Sequence, residues 1–309
     1  MMTKYYSLLL ALVVMPLFIS AQQSGAINAT NAFRLSDSTM NFLPIYKANR
    51  ELSYTSPKGE LGSPVKFVLI GKLTTSYFLF APEKSRFAFA LIPEFTVKVI
   101  DERSAGVRTP SLKLGGQFYY QINTDRTTYK YASLKFNHHS NGQDGEAINE
   151  DGSLNTRTGN FSTNYLTATY HFGTRRQLAS NKQFQFNHDI GLEWHRWFDY
   201  EKALENDYGF TRLNYNLSWR QFAQEREKWR WNSSLSYAIN KMSAYKLSAL
   251  KKRLNVESSF HYSFPFMHKA FLMAAVGYYG EDPYNIYFQD KYGYLRFGIS
   301  SGFTRSKRH

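Results

Sequence analysis

The feature that most constrains this chain is a two-residue alternation of apolar and polar side chains that recurs along most of its length. Between positions 212 and 220, Leu213, Tyr215, Leu217 and Trp219 alternate with Arg212, Asn214, Asn216, Ser218 and Arg220. The next segment sets Trp229, Trp231, Leu235, Tyr237 and Ile239 against Arg230, Asn232, Ser234, Ser236 and Asn240. Leu254, Val256, Phe260 and Tyr262 then oppose Asn255, Glu257, Ser259 and His261. Successive side chains of a strand point to opposite faces, so each segment builds one apolar and one polar surface. A soluble β-sandwich alternates in the same way. Length and aromatic placement separate the two: runs of roughly ten residues or more, with Tyr, Trp and Phe near their ends, match strands tilted across a bilayer.

Composition agrees, since an aromatic share of 17% stands beside a mean hydropathy of −0.47. The only long apolar run is N-terminal. Lys4 supplies a basic start, Ser7 to Ile19 an apolar stretch, and Ile19-Ser20-Ala21 a small-residue cleavage site, so residues 1–21 are expected to be a removed signal peptide. Residues 22–309 then form one domain, and a chain without apolar helices can span a membrane only as a closed barrel. There are no cysteines, which removes thiolate metal sites. A net charge of +14 is compatible with nucleic acid, anionic lipid or a polar lumen; export argues against nucleic acid and leaves lipid headgroups as the better partner.

The pattern predicts an all-β fold, a twelve-stranded antiparallel transmembrane barrel. Its strands are expected at 41–48, 65–78, 86–99, 111–123, 130–140, 162–173, 184–199, 209–221, 228–241, 250–263, 269–279 and 291–303. The connections 49–64, 100–110, 141–161 and 280–290 are long, whereas 79–85, 124–129, 222–227 and 264–268 are short. Such barrels have short periplasmic turns and longer external loops, and every long connection here follows an odd-numbered strand. That parity places the loop after Ser140 outside the cell.

One strand carries the candidate chemistry. In 130–142 the apolar members are Ala132, Leu134 and Phe136, and His138 and Ser140 continue their parity. They are expected to face lipid at the outer rim, with Tyr131, Ser133, Lys135, Asn137 and His139 in the lumen. The following strand has Leu166, Ala168, Tyr170 and Phe172 on its apolar face, and Asn164 shares their parity at the same rim. A serine nucleophile needs a base, and an imidazole needs an acceptor at its second nitrogen to hold the useful tautomer. Ser140, His138 and Asn164 can fill these roles, although polar residues at a membrane rim also serve as headgroup contacts. His138 and His139 point to opposite faces and cannot clasp one metal ion.

The segments His138-His139-Ser140-Asn141-Gly142 and Ser162-Thr163-Asn164-Tyr165-Leu166 resemble the motifs of outer membrane phospholipase A. Gly277-Tyr278-Tyr279-Gly280-Glu281 before the final strand is similar to that family's Gly-Tyr-Gly-Glu segment, and Asn41 to Tyr46 to its first strand. The resemblance implies a calcium-dependent phospholipase with A1, A2 and lysophospholipase activities, active as a calcium-linked homodimer. It makes Ser140 the nucleophile, His138 the base and Asn164 the residue that orients the base. The calcium position after the motif glycine, usually arginine in the family, is Gln143, which would contribute a backbone carbonyl. The family's ligand serine aligns with Asn160, and Ser104 is a candidate ligand from an opposing subunit. Asp144, Glu146, Glu150 and Asp151 add further oxygens in the loop.

Two other readings compete. Lipid A deacylases also carry His-x-Ser-Asn on a barrel surface, but they resemble an eight-stranded design completed by glutamate. A non-catalytic pore or structural barrel is the third possibility. The charged lumenal residues Lys135, Glu193, Arg212, Arg230 and Arg296 argue against a wide channel.

Overall fold

The computed structural model describes Tyr46, residues 50–302 and residues 305–306, apart from 83–84, 103–105, 108–109, 124, 126, 180–181, 224–225 and 268. The expected signal peptide, most of the expected first strand and Ser104 lie outside these residues.

Twelve staves close into an antiparallel barrel. They are β1 (Ser53–Pro57), β2 (Phe67–Thr74) continued by β3 (Tyr77–Phe80), β4 (Phe87–Leu91) continued by β5 (Glu94–Ile100), β6 (Ser111–Gln121), β7 (Thr128–Ser140), β8 (Thr163–Ala179), β9 (Lys182–Trp194), β10 (Thr211–Ala223), β11 (Arg226–Ala238), β12 (Leu254–Tyr262), β13 (Ala270–Tyr279) and β14 (Tyr292–Ser301). Neighbouring staves pair in sequence order, and β1 pairs with β14, which closes the ring. Among the described residues no helix is long and apolar enough to cross a membrane. Closure leaves the sheet without an open edge between its first and last staves, the condition a barrel must meet in a hydrocarbon environment.

The alternation divides the surfaces as expected. Phe118, Leu134, Phe136, Ile190, Leu213, Phe260, Leu272, Phe297 and Ile299 are exposed on the outer face, an apolar area that lipid can cover and water cannot. Inside, bases and acids pair: Lys98 lies 2.7 Å from Asp282, Lys113 lies 3.1 Å from Glu94, and Arg296 pairs with Glu257. Pairing offsets the several kcal/mol that an isolated charge would cost in a dry interior.

Two expectations need correction. The first stave is Ser53–Pro57, in the segment read as a loop, and Tyr46 of the expected strand is helical and buried among Phe78, Tyr119 and Tyr131 inside the barrel. Five residues whose outward positions are Ser53, Thr55 and Pro57 carry no apolar alternation, so periodicity could not reveal them. The strand expected at 184–199 ends at Trp194, and residues 195–200 form a turn. The aromatic spacing of Trp194, Trp197, Phe198 and Tyr200 continued the pattern past the true end. The second and third staves are also interrupted opposite each other, at Thr75-Ser76 and at Ile92-Pro93, where Pro93 has no N–H to pair.

Both ends of the barrel are filled. At the end carrying the long loops, Ala147, Phe161, Leu204, Tyr208, Phe210, Tyr284, Ile286 and Phe288 form one buried cluster. Glu281 ties it together by accepting from the Gly209 amide at 2.9 Å and pairing with Arg212. A side chain at position 280 would meet the carbonyl oxygens of Leu254 and Lys252 at 2.7 Å, which explains the glycine before Glu281. At the opposite end Tyr46 and the aromatic residues around it fill the lumen.

Candidate functional site

His138 and Ser140 lie at the end of β7, half-buried and on the same outer face as Leu134 and Phe136. The β7–β8 register sets His138 directly opposite Asn164, and the β6–β7 register sets Leu114 opposite His138 and Leu112 opposite Ser140. The polar group is therefore embedded in apolar surface.

His138 Nδ1 and Asn164 Oδ1 are 2.9 Å apart. The Asn164 amide is itself oriented, because its Nδ2 donates to the Asp199 carbonyl at 3.1 Å. With the amide nitrogen committed to Asp199, the oxygen faces the imidazole and must accept, so the proton sits on Nδ1 and Nε2 carries the free lone pair. That is the tautomer a base requires. No hydrogen bond joins Ser140 to His138 among the described residues. The two are next-but-one neighbours on one strand, about 7 Å apart at Cα.

The loop after Ser140 is fixed at its base by the motif asparagine. Asn141 is buried, donates from Nδ2 to the Gly159 carbonyl at 2.7 Å, and accepts from the Phe161 amide at 3.0 Å. Gly142 has φ of +67°, a left-handed conformation that favours glycine. Asn141-Gly142 thus turns the chain sharply beside Ser140. Gly145 donates to Thr158 O at 3.0 Å and accepts from Asn160 N at 2.8 Å, bringing the segment around Gln143 alongside that around Asn160. Backbone carbonyl and side-chain amide oxygens, which both segments carry, are hard donors of the class a calcium ion prefers. The carboxylates of the loop do not converge: among the described residues no three His, Cys, Asp or Glu form a metal-binding group.

The 195–200 turn adds residues that sequence reasoning missed. It presents the Asp199 carbonyl to Asn164 and sets Phe198 edge-on against Phe136, ring centroids 5.5 Å apart. Trp197 is 76% exposed beside them. The aromatic cluster in the sequence was the available signal, but it pointed equally to a strand end.

A second chain of the same residue types lies in the lumen. Ser133 Oγ is 2.8 Å from His171 Nε2, and His171 Nδ1 is 2.6 Å from Asp189 Oδ1. Ser133 is only 7% exposed, and the imidazole is stacked on Tyr131 at 4.1 Å. This is a satisfied interior network across three staves. It matters for any assay, because it contains a second serine with a hydrogen-bonded histidine.

The fold is a membrane-spanning β-barrel of the outer-membrane type, and its candidate site lies on the lipid-facing rim. No protein-family model matches the chain, and no curated protein sequence matches it. Among solved structures, it is similar to the toluene transporter TodX of P. putida at 8% identity and a TM-score of 0.28, covering 81% of this chain and 74% of that one. The deltaS2 mutant of TodX, described as a monoaromatic hydrocarbon channel, matches at 9% identity and a TM-score of 0.27, covering 81% and 77%. Superpositions this loose carry no functional argument.

Proposed function

We propose that this barrel is a calcium-dependent phospholipase that hydrolyses acyl esters of glycerophospholipids at the outer leaflet. Ser140 is the nucleophile, His138 the general base and Asn164 the residue that holds the base. The observation that carries the reading is the His138–Asn164 hydrogen bond of 2.9 Å on the lipid-facing surface, with the amide fixed by Asp199.

In this mechanism an acyl chain lies along Leu112, Leu114 and Phe136 with its ester at the rim. Ser140 Oγ attacks the ester carbonyl carbon while its proton passes to His138 Nε2. The imidazolium is stabilised through Nδ1–H by Asn164 Oδ1, then returns the proton to the leaving alcohol oxygen as the ester C–O bond breaks. Water, activated by the same nitrogen, cleaves the acyl-serine and releases the fatty acid. Calcium, when bound, would supply positive charge to the oxyanion. Gln143 O and Asn160 Oδ1 would hold it, with Ser104 contributed by a second copy in a homodimer.

The clusters that fill both ends of the barrel support this reading over an open pore, and Asn164 in the place of a glutamate supports it over a lipid A deacylase. The test is fatty-acid release from phosphatidylethanolamine in mixed micelles, comparing wild type with Ser140→Ala in calcium and in EDTA. The expected result is calcium-dependent release by wild type only. Equal release by both proteins removes Ser140 from the chemistry, and release that EDTA does not reduce removes calcium.

A further inference from the structure

The lumen holds a cavity of about 540 Å³ at mid-barrel. Its bases are mostly matched: Lys72, Lys98, Lys113, Arg230 and Arg296 each have a carboxylate oxygen within 4.0 Å. Arg220 has none. It is 2% exposed, the cross-strand partner of Arg230 on β10 and β11, and lines the cavity. Its Nε donates to Ser218 Oγ at 2.8 Å, while its Nη1 is buried with no hydrogen-bond partner.

The charged groups acting on Arg220 are of both signs. They include like-charged Arg230, the acids Glu227 and Asp189, and Tyr129. Glu227 is engaged by Arg230, whose Nε and Nη2 donate to its two oxygens at 2.6 and 2.8 Å. Asp189 Oδ1 is engaged by His171 at 2.6 Å. Asn187, on the adjacent stave β9 and opposite Ser218, is 4% exposed and lines the same cavity. Its Oδ1 accepts from Gln185, and its Nδ2 is buried without a partner. Arg220 and Asn187 therefore line one polar cavity, and each has a buried N–H donor without a partner among the described residues. A buried cation whose neighbouring carboxylates are engaged by other groups and a buried donor without an acceptor are each costly. One ligand resolves both: an anion with several acceptor oxygens.

We propose that the lumenal cavity is a binding site for a phosphate-class oxyanion, held by Arg220 and Asn187. Arg230 adds positive charge without giving up its own bonds to Glu227. The planar guanidinium fork suits two oxygens of such an anion, and a tetrahedral group can turn a third toward Asn187. The site is separate from the lipid-facing rim and stands whether or not Ser140 is catalytic. The same chemistry could come from free phosphate or from the phosphate of a lipid headgroup.

The test is calorimetric titration of the full chain, folded in detergent micelles, with inorganic phosphate and separately with glycerol 3-phosphate. Ionic strength is held constant with sodium chloride. The expected result is saturable binding of at least one of them. Removing a charge-assisted donor in Arg220→Gln should weaken it about tenfold or more, and removing a neutral donor in Asn187→Ala about threefold. Binding of both anions identifies free phosphate chemistry as sufficient, and binding of glycerol 3-phosphate alone identifies the headgroup as the source. If Arg220→Gln does not fold, Asn187→Ala and Arg220→Lys decide the question. The proposal is overturned if neither anion binds saturably, or if the folded variants bind as wild type does.

Discussion

Asn164→Ala is the perturbation that tests the rim site most sharply. The side chain touches His138 and the Asp199 carbonyl, and in the proposed mechanism its loss removes one hydrogen bond from an imidazole that starts neutral and becomes cationic in the transition state. A bond to a neutral partner contributes about 1 kcal/mol net, and one to a charged partner about 1.5–3 kcal/mol. The freed imidazole can also adopt the wrong tautomer, so most of that charged-state contribution should be lost from the transition state. At about 1.4 kcal/mol per decade, kcat should fall about 10- to 150-fold. KM should stay within about twofold, because the amide orients the base and leaves the apolar surface that would receive the acyl chain intact. The assay is initial-rate fatty-acid release in mixed micelles at fixed calcium, with heat-modifiable gel mobility to show a folded barrel. A folded variant with wild-type kcat would refute the orienting role, as would an effect confined to KM.

Further outcomes follow from the same contacts. Ser133→Ala should leave hydrolysis unchanged, since that hydroxyl faces the lumen; loss of activity there with retention in Ser140→Ala would move the chemistry inside. Asn141→Ala leaves the Gly159 carbonyl and the Phe161 amide without their partner, at about 1–3 kcal/mol each if they stay buried, and should make residues 142–160 more sensitive to limited proteolysis. Glu281→Ala leaves Arg212 with Glu193 at 3.2 Å as its remaining carboxylate but removes the acceptor of the Gly209 amide at the loop cap, at about 1–3 kcal/mol if that amide stays buried, and should lower the melting temperature and raise single-channel conductance from a near-closed baseline. Wild-type protein with a large steady conductance in planar bilayers would contradict the plugging of both ends.

Much of the site was legible because hairpin neighbours are local in sequence. Parity alone put His138, Ser140 and Asn164 on one face, and a single connection between two consecutive strands left only the register open. The Asp199 carbonyl was not legible: it comes from a turn that the aromatic spacing disguised as strand, and a backbone carbonyl leaves no residue signature. The Ser133–His171–Asp189 chain needed the register of three staves at once, and β1 was hidden because its outward positions are not apolar.

By itself the sequence determined the barrel and its two faces, because strand periodicity assigns each side chain to lipid or lumen whatever the distant pairings are. Only the tertiary structure decided which groups meet inside the ring. Glu227 satisfies Arg230 and leaves Arg220 without a carboxylate, an outcome fixed by stave order, relative stagger and the burial that closure imposes. Those quantities arise from all twelve staves together, so no local pattern encodes them.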